Sequence, residues 1–208
     1  MFILGLTGSI GMGKTVAASE FRRLRVPVHD ADKTVHTLMA KGGEAVGAIE
    51  KAFPGTVESG AVERKILAEQ VFANKEDLSR LEAIIHPLVH RIEWKFLRSA
   101  ALRKHPLAVL EIPLLFETGG ETKCDAVVVV TAARFIQEKR VLDRPGMTLK
   151  RFEQICANQL SDAEKRRHAD FVVQTGLGRA FSLCKIREII KTTRNWRGAK
   201  WPWFFLDL

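Results

Sequence analysis

Cysteine is scarce in this chain: three among 208 residues, Cys124, Cys156 and Cys184, widely spaced and with no C-x-x-C pair. That argues against a disulfide framework or a zinc site and points to a reducing compartment. No run approaches the roughly 18 apolar residues that a membrane-spanning helix needs. The apolar stretch from Met1 to Leu6 is too short for the hydrophobic part of a secretory signal and lacks preceding basic residues, so a soluble cytoplasmic protein with no membrane partner is expected. Internal repeats, low-complexity tracts and flexible linkers are also missing, which makes one compact unit the default for this length. Acidic residues are the minority, 24 against 33 Lys and Arg, for a net charge of +9. Such a surplus favours polyanionic ligands without separating nucleic acid from nucleotides. No base-reading motif is visible, so nucleic acid is not an expected partner, and no obligate protein partner is evident.

What the chain does have is Phe2-Ile3-Leu4-Gly5-Leu6-Thr7 followed at once by Gly8-x-x-x-x-Gly13-Lys14-Thr15, and then by helical spacing in Val16, Ala17, Phe21 and Leu24. The order predicts strand, phosphate loop and helix. A triphosphate must lie against main-chain N–H groups, and Gly8, Gly11 and Gly13 remove the Cβ atoms that would hold the backbone away. The helix N-terminus adds unpaired amides and its dipole. Lys14 is expected to reach the β- and γ-phosphates, and the Thr15 hydroxyl to ligate Mg²⁺.

Downstream, Val26-Pro27-Val28 reads as a short second strand that delivers Asp30 and Asp32 to its C-terminal end, the ligand-binding edge of an open parallel sheet. If the strand continues, the two carboxylates point the same way. One of them is expected to align and deprotonate an acceptor hydroxyl and the other to cap the following helix; Asp32 is assigned the base. A helical stretch runs from about Glu44 to Phe53. Three further apolar helix faces follow, with Pro87 placed in the first turn of the last one and His86 at the junction before it. Leu107–Ile112, Ala126–Thr131 and Phe171–Val173 read as buried parallel strands, and Glu111 as an acid that holds the shell of a bound metal. Glu117 either caps or pairs. Between the last two strands lies a basic helical excursion containing Arg140 and Arg144, four apart and so expected on one face, where they supply charge to the transferred phosphoryl group. The alternative for the run as a whole is a solvated helix face. The aromatic ending, Trp196 to Phe205, is expected to pack on the body or on a second subunit.

Asn74-Lys75-Glu76-Asp77 and Asp143-x-x-Gly146 match guanine-nucleotide motifs, but in reversed order and with Asn74 opening an amphipathic helix, so a GTPase is not expected.

Taken together, Gly8–Thr15, Asp30-Ala31-Asp32 with His36, His86-Pro87, Pro113-Leu114-Leu115-Phe116-Glu117, Arg140-x-x-x-Arg144 and Gln159 followed by Lys165 and Ala169-Asp170 resemble the dephospho-coenzyme A kinase family, in order, from about residue 1 to 176. The resemblance implies transfer of the ATP γ-phosphate to the ribose 3′-hydroxyl of dephospho-CoA, the last step of CoA synthesis. It implies a P-loop NTPase-type α/β fold, with a parallel five-stranded sheet flanked by helices. A single kinase domain is expected, with its core at about 1–45, 105–132 and 168–195, a helical CoA-binding insertion at about 58–104 and a lid at about 133–167. By position, Gly8, Gly11, Met12, Gly13, Lys14, Thr15 and Val16 look like the ATP loop, joined by Arg140 and Arg144 from the lid. Lys14, Asp32 and Arg140 look catalytic; Asp32, Arg64, His86, Pro113 and Leu114 look like the acceptor side; Thr15 and Glu111 look like the Mg²⁺ side. The chain departs from the family pattern at Val16, where a second hydroxyl is usual, at Glu111, where Asp is common, and at Gln174-Thr175-Gly176, which replaces an Asn-containing turn near the adenine. A phosphate-loop kinase for another small acceptor, and a nucleic-acid-binding NTPase-like protein, are the competing readings.

Overall fold

Unbroken apolar character makes strands that must be covered on both faces, and three such segments form the centre of the sheet. A computed structural model describes residues 1–71 and 74–202. In chain order it contains β1 (Phe2–Thr7), α1 (Lys14–Arg23), β2 (Val28–Asp30), α2 (Ala31–Met39), α3 (Val46–Ala52), the short strands β3 (Val57–Glu58) and β4 (Ala61–Val62), α4 (Arg64–Val71), α5 (Lys75–Leu102), β5 (Leu107–Glu111), β6 (Ala126–Thr131), α6 (Arg134–Leu142), α7 (Leu149–Ala157), α8 (Asp162–Arg167), β7 (Phe171–Gln174) and α9 (Arg179–Thr193). The chain divides into two units, Met1–Asp30 with Leu97–Leu208, and Ala31–Phe96.

The first unit holds a five-stranded parallel sheet in the order β2-β5-β1-β6-β7. Every residue of β1, β5 and β6 is buried, as central strands of a parallel sheet require. Leu4, Leu6, Val109, Val128 and Val130 meet Phe21 of α1 and Ile186 of α9 in one apolar core. Because β1 lies between β5 and β6, its exit at Thr7 is flanked by Glu111 on one side and Val129 on the other. Crossing from one neighbour to the other opens the crevice in which such sheets bind ligands.

The second unit buries Leu38, Ile49, Phe53, Leu67, Val71 and Ile85 around α2, α3, α4 and part of α5, with the β3–β4 hairpin alongside.

Four sequence expectations change. The second strand is Val28–Asp30, because Pro27 has no N–H to give and contributes only its carbonyl, which accepts from Val109 N at 2.9 Å. It ends at Asp30, so Asp32 sits in the first turn of α2 and strand alternation does not relate the two carboxylates. Pro87 lies inside one 28-residue helix and not at the start of a new one. An interior proline forfeits a backbone hydrogen bond at about 3 kcal/mol. The apolar stripe of Leu81, Ile84, Ile85, Leu88, Val89 and Ile92 runs across it into the second unit's core and keeps the helix continuous. Helix α6 ends at Leu142, so Arg144 lies beyond it and shares no helical face with Arg140. Pro145 disfavours helical geometry at the residue before it, which is Arg144 itself.

Past α9, Trp196 meets Phe2 edge-on at 5.6 Å between ring centroids and Phe171 at 6.1 Å. Asp125 accepts from Ile3 N and from the amides of Ala199 and Lys200. This part of the aromatic ending is packed on the first unit; Trp203, Phe204 and Phe205 lie outside the described residues.

His29, 6% exposed in β2, has its pKa lowered to about 4, chiefly by burial and further by Lys123, against the pull of Asp30. The folded state therefore keeps His29 neutral where the unfolded chain takes up a proton, so stability falls as pH drops from about 6.5 toward 4 and is unaffected by this group above that range. We expect up to about 3 kcal/mol of loss across the window, measured by denaturant unfolding, and a visibly shallower loss in His29→Phe. Equal slopes in both proteins would remove His29 as the cause.

Candidate active site

The loop Gly8–Gly13 leaves the buried end of β1 and turns directly into α1. Gly11 and Gly13 adopt φ of +76° and +88°, and a Cβ on Gly13 would come within 2.8 Å of Thr175 Oγ1, so both conformation and space require glycine. Gly13 caps α1; Val16 N and Ala17 N both donate to its carbonyl at 3.1 Å, which leaves the N–H groups of Lys14 and Thr15 as those without an intrahelical acceptor. Thr15 and Val16 are exposed in that first turn.

Lys14 reaches across to β5. Its Nζ donates to Glu111 Oε1 at 3.1 Å, and Arg22 Nη2, two turns along α1, donates to Glu111 Oε2 at 3.3 Å. Glu111 is 2% exposed, so its charge is matched by two cations with little help from water. Beyond β5, the Pro113 carbonyl accepts from Thr7 Oγ1 at 2.9 Å and faces Lys165 Nζ at 3.5 Å, which fixes Pro113 and the exposed Leu114 beside the start of the loop.

Arg140 of α6 donates to Gly11 O at 3.3 Å and, through both terminal nitrogens, to Thr175 Oγ1 and Thr175 O at 3.0 Å each. Thr175 Oγ1 in turn donates to Met12 O at 2.6 Å. The arginine is thus seated on the phosphate loop. Beside it lies a cavity of about 290 Å³, bounded by Ser9 and Met12 of the loop and by Arg134, Gln137, Gln159 and Asp162. Two buried oxygens at its walls, Ser9 Oγ and Asp162 Oδ1, have no hydrogen-bond partner among the described residues, which makes the cavity polar room next to the loop.

The model of the family described as dephospho-CoA kinase matches residues 2–178. The chain belongs to the dephospho-CoA kinase family. It is 54% identical over 199 residues to a dephospho-CoA kinase of Paramagnetospirillum magneticum, covering 96% of this chain and 94% of that one. A crystal structure from Thermus thermophilus superposes with a TM-score of 0.81 at 31% identity, covering 92% of this chain and 96% of the other. The dephospho-CoA kinase of Campylobacter jejuni gives 0.60 at 26% identity with the same coverage. Among the described residues no helix is long and apolar enough to cross a membrane.

A dephospho-CoA kinase is a phosphotransferase acting on a hydroxyl group, and the first unit gathers the expected phosphate side: Gly8, Gly11, Met12, Gly13, Lys14, Thr15 and Val16 on the loop and helix start, Glu111 paired to Lys14, Pro113 and Leu114 alongside, and Arg140 docked. Arg144 is exposed beyond α6. The remaining expected residues belong to the second unit, each on a different helix: Asp32 in the first turn of α2, Arg64 at the start of α4, and His86 in α5 with its ring 6.4 Å from that of His90.

Two features of this kinase run against the sequence reading of its basic excursion. Lys165 is fully buried, not part of a solvated face, and binds Glu117 Oε1 at 2.8 Å, an oxygen that also accepts from Leu160 N at 2.9 Å just ahead of α8, so Glu117 both pairs and holds backbone. Gln137, unremarked in the sequence, and Thr175, noted there only as part of a turn that departs from the family pattern, touch the loop at Ile10 O and Met12 O, beside the contact that Arg140 makes with Gly11 O. Helical spacing from Arg140 back to Gln137 was the available signal, since residues three apart share a face.

Thr15 and Glu111 offer hard oxygen donors at the mouth of the phosphate loop, the donor type that suits a divalent cation bound mainly by phosphates and water. Thr15 fits such a role by its exposure at the helix start, whereas both oxygens of Glu111 accept from Lys14 and Arg22, so it would contribute only once Lys14 has turned to the phosphates.

Proposed function

We propose that this chain phosphorylates the ribose 3′-hydroxyl of dephospho-CoA with ATP, giving CoA and ADP, with Gly8–Thr15 as the triphosphate cradle and Asp32 as the group that aligns the acceptor hydroxyl. The observation that carries the reading is the juxtaposition of Lys14, Glu111 and the docked Arg140 around one glycine loop at the exit of β1. Phosphoryl transfer has a loose transition state, so positioning and charge stabilisation do most of the work. Main-chain amides of the loop and the start of α1 hold the phosphates; Lys14 moves from Glu111 to the β- and γ-phosphates; Arg140 meets the charge that spreads over the transferred group. Asp32 takes the hydroxyl proton as the bond to phosphorus forms and the bond to the bridging oxygen of ADP breaks. Mg²⁺ is the metal we assign, held by the Thr15 hydroxyl and near Glu111, and when bound it neutralises charge on the phosphate oxygens. Unit 31–96, with Arg64 and His86, serves as the acceptor-binding part, and residues of about 133–167 as the lid, with Arg144 as its second arginine. Three free thiols, Cys124, Cys156 and Cys184, support a cytoplasmic location.

ADP release is the direct test, measured with ATP and Mg²⁺ against dephospho-CoA and a panel of nucleosides and nucleoside monophosphates. Release that depends on dephospho-CoA and yields CoA is the expected result. Stronger stimulation by another acceptor would overturn the substrate, and equal rates with Mn²⁺ or Ca²⁺ would overturn the metal preference.

A further inference from the structure

We propose that Gln137 and Gln159 are positioning residues that clamp the Ile10 peptide of the phosphate loop and thereby set its binding geometry. The inference rests on the reading of Gly8–Thr15 as the ATP loop. Gln137 Nε2 donates to Ile10 O at 2.8 Å, and Ile10 N donates to Gln159 Oε1 at 3.1 Å. A backbone N–H can only donate and a backbone carbonyl can only accept, so the two side-chain amides must face the loop in opposite senses. Both polar groups of a single residue are thus held, one from α6 and one from just past the C-terminus of α7.

The clamp is itself braced. Gln137 is 3% exposed, and its Oε1 accepts from Arg134 Nη1 at 3.2 Å. The Arg134 guanidinium lies 4.3 Å over the ring of Phe152, and its Nη1 is 3.4 Å from Cys156 Sγ. Gln137 therefore has no slack: oxygen and nitrogen are both engaged. Gln159 N donates to Cys156 O at 3.2 Å, which fixes the backbone from which its side chain extends.

The loop needs this support because glycine gives the chain more freedom than any other residue, and Gly8, Gly11 and Gly13 fall within one short turn. Locking the Ile10 peptide removes the rotation that would misalign the next amides, which are those the phosphates use. Arg140 stands three residues after Gln137 on α6 and donates to Gly11 O, so the clamp also sets where the arginine meets the loop.

The donor and acceptor senses make the test sharp. Gln159→Glu keeps an acceptor opposite the Ile10 N–H at a half-buried site, whereas Gln159→Leu removes it. Gln137→Glu places a carboxylate against the Ile10 carbonyl, and Gln137→Leu removes the donor. In the ligand-free protein, hydrogen exchange of the Ile10 amide should stay slow in wild type and Gln159→Glu and quicken about tenfold or more in Gln159→Leu and Gln137→Glu. In steady-state kinetics, Gln159→Leu and Gln137→Leu should raise the KM for ATP about tenfold and leave the KM for dephospho-CoA within about twofold. Equal exchange in all variants, equal behaviour of the two Glu variants, or parallel changes in both KM values would each overturn the proposal. Gln159 is only half buried, so its variants keep the test alive should the Gln137 variants fold poorly. Failure of the ATP-loop reading would show separately, as wild-type ATP affinity in Lys14→Ala.

Discussion

Lys14→Ala should lower kcat by at least about a hundredfold, because on the proposed reading the triphosphate loses the lysine aimed at its transferring end in a site where such charge is worth several kcal/mol. The structure adds a second effect of the same change. Glu111 is 2% exposed and loses one of its two cations, keeping Arg22 at 3.3 Å. Stripping a buried charge of its whole partner set costs about 3–5 kcal/mol, and a surviving partner leaves a smaller loss. The melting temperature should therefore fall by a few degrees with the fold intact. The two effects separate by measurement: circular dichroism reports the loss of pairing, and ADP release at saturating substrates reports the loss of phosphate contact. Activity within about tenfold of wild type, with the melting temperature lowered, would make Lys14 a structural partner of Glu111 and remove it from catalysis.

Asp32→Asn should lower kcat by about a hundredfold or more while leaving the KM for dephospho-CoA nearly unchanged, since asparagine keeps the shape and the hydrogen-bonding capacity of aspartate and loses the basicity. Asp32 is exposed in the first turn of α2, two residues past the last residue of β2 in the chain. Its place in the first turn also favours a negative charge through the helix dipole, which gives Asp32→Asn a stability effect of only about 0.3–1 kcal/mol. Asp30 is the control. It ends β2 in register with Glu111, so Asp30→Asn alters a strand end next to the buried pair. Retained turnover in Asp32→Asn together with loss in Asp30→Asn would move the base to Asp30.

The strands and the loop were legible in the sequence because their signals are local. β1, β5 and β6 are continuous apolar runs, and a glycine-rich turn before a helix needs no distant residue to be recognised. The order of strands and the partners of the loop have no such local trace. Ile10 meets residues 127 and 149 positions away; spacing puts Gln137 on the face of Arg140, but no local pattern names Ile10 as the partner of either glutamine. Lys165 misled for the same reason: in a row with Arg166 and Arg167 it reads as solvated charge, and only the fold brings Glu117, 48 positions earlier, to bury and neutralise it. Pro87 misled in the other direction, since a local breaking signal was overridden by an apolar stripe packed along many turns. Arg144 was placed by helical spacing that held only as far as Leu142, and the proline that ends the helix was visible all along.

The bond between Lys14 of the loop and Glu111 of β5 means that this lysine is not a bare cation at rest. On the proposed reading, nucleotide exchanges for a carboxylate already in place, and the affinity it realises is the difference between two ionic contacts. Arg22, 3.3 Å from Glu111, would keep the carboxylate neutralised while the lysine is away.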